Sequence, residues 1–369
     1  MEIALLGILT LLLIVQIGNI AYLRRPAAPP TGRRPFVSVL IPARNEAANL
    51  RRLIPSLLDQ TCGDFEVLVY DDASEDETWA VLQSFDDPRL RTLRGTGPPE
   101  GWVGKVHALF QAAKEARGDV YVFLDADAEL LDDGALGRLV DRFRTLAPRQ
   151  VLTGFTDLRG GGLLLVSLVP HTILTFLPWF LVEHVRSTSL GSVNGQCWLI
   201  DAETYHALAP HEHVRNEVLE DVAIGRYLKG EGVDPVMTDV RRELAVYMYD
   251  SFGDAWRGFR KNAYLLMGGR WWTFTLWWIA YAWMFAIAPF VWPELLAAVY
   301  CLKIVSDRAA GMPIRVTILG PLAHIAGVGL HVDSAVSHWT GRARWKGRRV
   351  GYSNPASRSL SKSRGNQGE

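Results

Sequence analysis

Two aspartates one residue apart, Asp125 and Asp127, close the run 120–127, whose body is short, apolar and rich in β-forming residues. Such a run reads as a buried central strand, and its acids fall where that strand should stop. A carboxylate pair at a strand's carboxyl end lies on the ligand-binding edge of an open α/β sheet. Two hard oxygen ligands there could hold a Mg²⁺ or Mn²⁺ that also binds a substrate's phosphates. The same spacing also suits a strand running into an Asx turn. Three further groups of chemically capable residues share this loop character. Pro42-Ala43-Arg44-Asn45-Glu46 follows one apolar run, Tyr70-Asp71-Asp72-Ala73-Ser74-Glu75-Asp76 ends another, and Glu220-Asp221 lies in a helical stretch. Two of them have plainer readings: turn and capping residues for Asp71, Asp72 and Ser74, and a solvated helix face for Glu220-Asp221; Lys105, near the start of a helical pattern at 103–116, could likewise be a surface lysine.

The elements that must position these residues can be read from periodicity. Apolar β-type runs at 37–42, 65–70, 90–93 and 120–124 alternate with helical patterns at 46–59, 76–85, 103–116 and 136–146. Asn45 is placed to cap the first helix and Gly118 to close the third. This alternation over residues 36–150 specifies a mostly parallel sheet covered by helices. Strand-like sequence returns at 194–201, and a helix is expected at 217–229.

Long apolar runs flank this core. Residues 3–23 are broken only by Gln16 and Asn19 and are long enough to cross a bilayer. The positive charge of Arg24, Arg25, Arg33 and Arg34 follows the run. That asymmetry predicts a signal-anchor with the rest of the chain on the cytoplasmic side of the inner membrane, against a cleaved signal or a buried core helix. Residues 163–182 are apolar but hold Pro170, His171 and Pro178. A full span there would separate Asp125 from any later catalytic group, so an interfacial or re-entrant segment is expected. Beyond Arg270, spans are expected near 273–291 and 316–334, which return Arg342, Arg344, Lys346, Arg348 and Arg349 to the cytoplasm. Tryptophan crowds the stretch from Trp256 to Trp292; the pairs at 271–272 and 277–278 suit an aromatic belt. The layout is an anchor at 1–24, a linker at 25–35, a catalytic domain at 36–265, a membrane region at 271–336 and a basic tail at 337–369, polar and disordered from 354. Lys+Arg and Asp+Glu balance at 39 each, which argues against a nucleic-acid partner. Three widely separated cysteines show no metal-ligand spacing and fit a reducing compartment. His107, His171, His206, His211 and His213 form no zinc pattern and read as structural or surface residues.

The order P-A-R-N-E, D-D-A-S-x-D, D-A-D, E-D resembles the family 2 glycosyltransferases of the GT-A fold, over roughly residues 36–265. G-W-V-G-K at 101–105, N-G-Q at 194–196 and W-K-G-R at 345–348 resemble a membrane-bound branch associated with carotenoid and hopanoid pathways and other lipid glucosyltransferases. The resemblance implies an α/β, Rossmann-like nucleotide-sugar domain between N- and C-terminal transmembrane helices. It implies that Asp71 or Asp72 binds the nucleoside of a UDP-sugar, with Pro42, Ala43 and Glu46 beside it. Asp125 and Asp127 would hold the metal and diphosphate, Lys105 a phosphate or sugar hydroxyl, and Asn194, Gly195, Gln196 and Glu220 the sugar or acceptor. Asp221 would be the general base of a single, inverting displacement. The chain lacks the Q-x-x-R-W motif of many processive members; Arg257, Arg260 or Lys261 could face the diphosphate instead. The expected activity is transfer of one hexose, from UDP-glucose, to a membrane-lipid hydroxyl such as a carotenoid or hopanoid-type terpenoid. Loading of a polyprenyl phosphate, polysaccharide synthesis and a non-catalytic membrane scaffold are the competing readings. Oligomeric state is not readable.

Overall fold

The computed structural model describes residues 1–26, 29, 30 and 32–349; the tail expected to be disordered at 354–369 lies outside them. Its centre is a seven-stranded sheet. In chain order the strands of the molecule are β1 (Val37–Ala43), β2 (Phe65–Asp72), β3 (Leu90–Gly95), β4 (Val120–Leu124), β5 (Ala128–Leu130), β6 (Gln150–Phe155), β7 (Asp157–Gly160), β8 (Cys197–Asp201), β9 (Asp234–Asp239), β10 (Leu244–Tyr249), β11 (Arg344–Trp345) and β12 (Arg348–Arg349). The large sheet runs β3-β2-β1-β4-β8-β6-β9, and β5-β10-β7 form a second, small sheet. The strands β3, β2, β1 and β4 are parallel, as the alternating pattern requires. Every residue of β2 and β4 is buried, which is why both read as unbroken apolar runs rather than alternating ones.

Register brings the chemistry to one edge. Ala43 pairs with Asp71, and Leu40 with Phe123, so β1, β2 and β4 end together. The strand expected at 194–201 starts only at Cys197 and runs antiparallel to β4, with Leu124 opposite Cys197. That pairing puts the 194–196 turn directly beside Asp125, whose N–H donates to the Gln196 carbonyl (3.3 Å).

Two capping expectations are corrected. The helix after β1 is Ala47–Leu58, and Asn45 does not cap it; Asn45 adopts φ 53°. Its side chain instead accepts from the Glu75 N–H (2.8 Å), while its own N–H donates to Ser74 Oγ (2.9 Å). Ala73, φ 54°, sits at the facing loop, so the two loops hold each other in conformations that non-glycine residues rarely adopt. Gly118 does not close the helix Gly104–Glu115 in a left-handed turn. A Cβ there would fall 2.5 Å from the Ser38 nitrogen, so its small size serves close packing on β1.

Among the described residues, two helices are long and apolar enough to cross a membrane, Glu2–Leu23 and Trp271–Val291. Gln16 and Asn19, the polar breaks of the first, are fully buried. Gln16 Nε2 donates to Thr175 Oγ1 (2.7 Å). Asn19 Nδ2 donates to the carbonyls of Leu174 and Leu177 (both 2.8 Å), and its Oδ1 accepts from the Trp179 N–H (2.7 Å). The stretch 163–182 is accordingly not one helix but three, Leu163–Val166, Leu168–Phe176 and Trp179–Val182. Trp271–Val291 contains a π-turn at Trp283–Ile287, two residues before Pro289, whose missing N–H displaces the hydrogen-bond ladder. The second C-terminal segment differs from the expected 316–334. A helix at Pro293–Ala310 intervenes, and the last helix runs Gly320–Trp339 after the short Ile314–Ile318.

The chain after Gly320–Trp339 does not trail away over its described part. β11 and β12 form an antiparallel hairpin, with Lys346 (φ 44°) and Gly347 (φ 81°) at its two-residue turn. Positive φ at both central positions is the geometry that closes such hairpins with the correct twist.

Candidate active site

The residues at the sheet edge form two adjoining clusters. In the first, Lys105 is the hub. It opens the helix Gly104–Glu115, and its Nζ lies 2.6 Å from Asp125 Oδ1 and 2.9 Å from Glu220 Oε1. Burial opposes the Lys105 ammonium, yet these two carboxylates outweigh it and hold the group firmly protonated. The same pairing works on Glu220: burial raises it, but Lys105 and then Lys261 bring it below the usual carboxylate value.

Asp221 is next to Glu220 in the first turn of the helix Glu220–Gly230. Its Oδ1 accepts from the Val222 N–H (2.8 Å). Burial, reinforced by the Glu220 charge and only partly offset by Lys105, pushes it up to about 6. Two close backbone contacts set this helix against the 191–196 segment. A Cβ on Gly191 would fall 2.3 Å from the Gly225 carbonyl, and one on Gly225 2.3 Å from Ser192 Cα. Gly195 sits where a methyl would lie 3.1 Å from Lys105 Nζ and 3.5 Å from both Glu220 Oε1 and Asp221 Cβ. Its lack of a side chain leaves room at the point where these groups face one another. Asn194 and Gln196, by contrast, spend side-chain atoms inside the protein. Asn194 Nδ2 donates to the Gly154 carbonyl (2.7 Å), and Gln196 Oε1 accepts from Thr156 Oγ1 (2.7 Å). They shape the turn that presents Gly195.

Asp127 lies deeper. Burial, then the charges of Asp125 and Glu46, push its carboxyl up to about 8, and its Oδ1 has no hydrogen-bond partner. A carboxylate surrounded by carboxylates, with an orphaned oxygen, is a place a cation would stabilise. Among the described residues no three His, Cys, Asp or Glu side chains group to hold a metal. A hard divalent ion held by Asp125 and Asp127 alone would therefore draw further ligands from phosphate oxygens and water, the usual habit of Mg²⁺.

The second cluster lies at the ends of β1 and β2. Asp71 Oδ1 accepts from the Ser74 N–H (3.0 Å), while Asp71 Oδ2 and Asp72 Oδ1 are buried without partners. Buried acceptors are rarely left unsatisfied, so a ligand N–H or hydroxyl would fit here. Ala43 is buried beside Asp71 in the register and Pro42 half-buried before it.

Sequence reasoning missed the other half of this cluster. Lys346, at the hairpin turn, forms an ion pair with Glu46 and donates from Nζ to the Arg44 carbonyl (2.8 Å). Arg348 pairs with the Asp72 carboxylate and donates to the Asp72 carbonyl (3.2 Å). Arg44 closes the set, donating to the carbonyls of Lys346 (3.2 Å), Asp72 and Ala73 (both 2.8 Å). Of the three basic residues considered for the diphosphate, Arg257 pairs with Asp254 (2.5 Å) and Arg260 approaches Asp333 (3.9 Å), both outside the carboxylate clusters. Lys261 is the one that shares the field of Glu220, Asp125 and Asp221. The histidines serve the core: His206 bonds Tyr121 OH (2.8 Å), His211 bonds Tyr205 OH (2.9 Å), and His107 packs edge-on to Tyr70 and Trp102. A separate hollow of about 500 Å³, lined by Arg33, Arg34, Cys62, Asp64 and Asp141 among others, lies at the opposite edge of the sheet.

Residues 38–207 match the model of glycosyl transferase family 2. The 4,4′-diaponeurosporenoate glycosyltransferase of Staphylococcus aureus is 23% identical over 242 residues, 63% of this chain and 62% of that protein. Its namesake in Staphylococcus haemolyticus is 32% identical over 107 residues, 29% of this chain and 28% of that protein. The alignment to the first thus spans less than two thirds of that relative's length. Among solved structures, a mannosyltransferase from Pyrobaculum calidifontis, in complex with GDP-mannose and Mn²⁺, is similar with a TM-score of 0.52 at 20% identity. The similarity covers 90% of this chain and 98% of that one. The α/β part of the chain has the GT-A fold.

Proposed function

Residues 38–207 match glycosyl transferase family 2, and from that match we propose that the chain moves a single hexose from a nucleotide-sugar, UDP-glucose first, onto a membrane lipid. The observation that carries this is the meeting of Lys105, Asp125, Glu220 and Asp221 around Gly195. Unpartnered oxygens of Asp127, Asp71 and Asp72 lie along the same end of the sheet. Asp71 and Asp72 accept nucleoside N–H or hydroxyl groups. Asp125 and Asp127 would hold Mg²⁺ or Mn²⁺, which neutralises charge on the departing diphosphate. Lys105 holds Asp125 and Glu220 in place through its two ion pairs and keeps Glu220 ionised. Asp221 takes the acceptor proton as the acceptor oxygen bonds the anomeric carbon and the bond to the diphosphate breaks, which inverts that carbon.

A lipid acceptor is supported by the apolar helices Glu2–Leu23 and Trp271–Val291, which flank the catalytic part, and by the carotenoid-derived name of the Staphylococcus relatives. The charge asymmetry at Arg24 and Arg25 supports a catalytic domain on the cytoplasmic side of the inner membrane. The division into anchor (1–24), linker (25–35), catalytic domain (36–265) and membrane region (271–336) belongs to the same proposal. Diaponeurosporenoate is by its name a carboxylate. A carboxylate acceptor brings no proton to remove at neutral pH, so the weight borne by Asp221 separates a hydroxyl acceptor from a carboxylate one. The test is incubation of membranes containing the protein with radiolabelled UDP-glucose and extracted terpenoid lipids. Metal-dependent label in the lipid phase is expected; no label from any nucleotide-sugar would refute the proposal.

A further inference from the structure

The hairpin β11–β12 lies about 300 positions from the loops it touches, yet it is tied to them through both charge and backbone. Lys346 binds Glu46 and the Arg44 carbonyl, Arg348 binds Asp72 through side chain and carbonyl, and Arg44 returns a bond to the Lys346 carbonyl. Arg348 also reaches the start of the helix Gly104–Glu115. A Cβ on Gly104 would lie 2.8 Å from Arg348 Nη1 and 2.6 Å from Asp72 Oδ2, and one on Gly97 would lie 3.2 Å from Arg348 Nη2. Glycine at these positions leaves space for the guanidinium between the loops after β2 and β3. The hairpin thus lies over the nucleoside end of the site, with two cations pointing into it, both only partly exposed.

Arg348 meets a carboxylate whose other oxygen has work left to do, whereas the second oxygen of Glu46 accepts from Asn49 Nδ2 (2.7 Å). Asp72 Oδ1 is an orphaned acceptor although Asp72 Oδ2 is paired. Lys105, a further cation at this edge, is already shared between Asp125 and Glu220. A ligand with a base or ribose at Asp71 and Asp72 and a diphosphate reaching toward Asp127 would pass beneath Lys346 and Arg348. Resting on the donor site of the proposed function, we propose that β11–β12 is a donor cover. In this role Lys346 and Arg348 exchange Glu46 and Asp72 for the diphosphate of the nucleoside diphosphate, closing the hairpin over it. No bond is made or broken in this step; two ion pairs are traded for charge-assisted hydrogen bonds to phosphate.

The test uses the full chain in lipid nanodiscs and isothermal titration with uridine and UDP, and with guanosine and GDP, in the presence of Mn²⁺. Arg348→Gln and Lys346→Gln should each weaken nucleoside diphosphate binding by about 10- to 100-fold, the range expected for losing a hydrogen bond to a charged group. The nucleoside alone should bind as before or more tightly, because Asp72 is released. Arg348→Lys should recover part of the loss. Equal weakening of nucleoside and nucleoside diphosphate would mean that the hairpin only shapes the pocket, and would overturn the proposal. So would unchanged diphosphate binding in both variants. If the unaltered chain binds neither UDP nor GDP, the donor site itself is refuted and the cover with it. If it binds one of them and the variants match it, the cover alone falls.

Discussion

Replacing Asp221 by Asn tests the base assignment and its electrostatics together. Burial and Glu220 push Asp221 up to about 6, so the active, ionised form is present above that pH and is lost as pH falls through it. A base of that strength is about 90% ionised at pH 7 and about 10% at pH 5, so kcat/KM should fall roughly tenfold across that interval. Asn keeps the size of the side chain and an oxygen for the Val222 N–H (2.8 Å), but it cannot take a proton. General-base catalysis contributes about 10²- to 10⁴-fold, so Asp221→Asn should slow transfer to a hydroxyl acceptor at least about 100-fold at pH 7.5, roughly 2.7 kcal/mol in the barrier. The acid limb should vanish with it. Asp221 stands on the Glu220 side of the site rather than beside Asp71 and Asp72, so UDP affinity measured with Mn²⁺ should stay within about threefold. The assay is transfer of labelled glucose to terpenoid lipid between pH 5 and 8.5, with nucleotide titration of the same preparation. Turnover above a tenth of the original rate with the same acid limb would refute the base role and favour an acceptor that arrives already ionised.

Lys105→Met removes the cation that favours the ionised Asp221, so the acid limb should move upward by about one pH unit or more; an unmoved limb would show the two groups to be uncoupled. Chelation of divalent metal should abolish transfer, Mn²⁺ or Mg²⁺ should restore it, and Asp127→Asn should raise the metal concentration required at least tenfold; full activity in EDTA would remove the metal from the reaction. Gly195→Ala places a methyl 3.1 Å from Lys105 Nζ and should lower kcat/KM by about tenfold or more with thermal stability unchanged, read by kinetics and by melting of the purified protein. Asn19→Leu strands the carbonyls of Leu174 and Leu177 and the Trp179 N–H and should cost about 3 kcal/mol, seen as faster proteolysis within 163–182; unaltered proteolysis would show that water satisfies those groups.

The legible parts were those in which local sequence carries the structural cause. β1, β2 and β4 are buried on both faces, so their runs stood out, and their shared ends predicted the edge where Asp71, Asp72, Asp125 and Asp127 gather. β8 was visible as a strand, but its antiparallel place beside β4 was not, because pairing partners leave no mark on a single segment. Asn45 resembled a helix cap because caps and left-handed turns favour the same residue; only the facing loop decides between them. The hairpin was hardest. Arg344, Lys346, Arg348 and Arg349 had the composition of a solvated or membrane-facing tail. The available signals were the W-K-G-R motif at 345–348 and, within it, Lys346-Gly347 as a tight turn, but nothing near them pointed back to Glu46 and Asp72.

The buried amides of the first helix bear on how the chain is made. Gln16 and Asn19 leave the ribosome early, whereas the groups that satisfy them, Thr175, Leu174, Leu177 and Trp179, follow 155 to 160 positions later. Until then two polar amides ride in an otherwise oily segment without those partners. This helix therefore lacks those partners until residue 179 has been made, and an interruption of translation before Trp179 would release a fragment with the apolar segment unclasped.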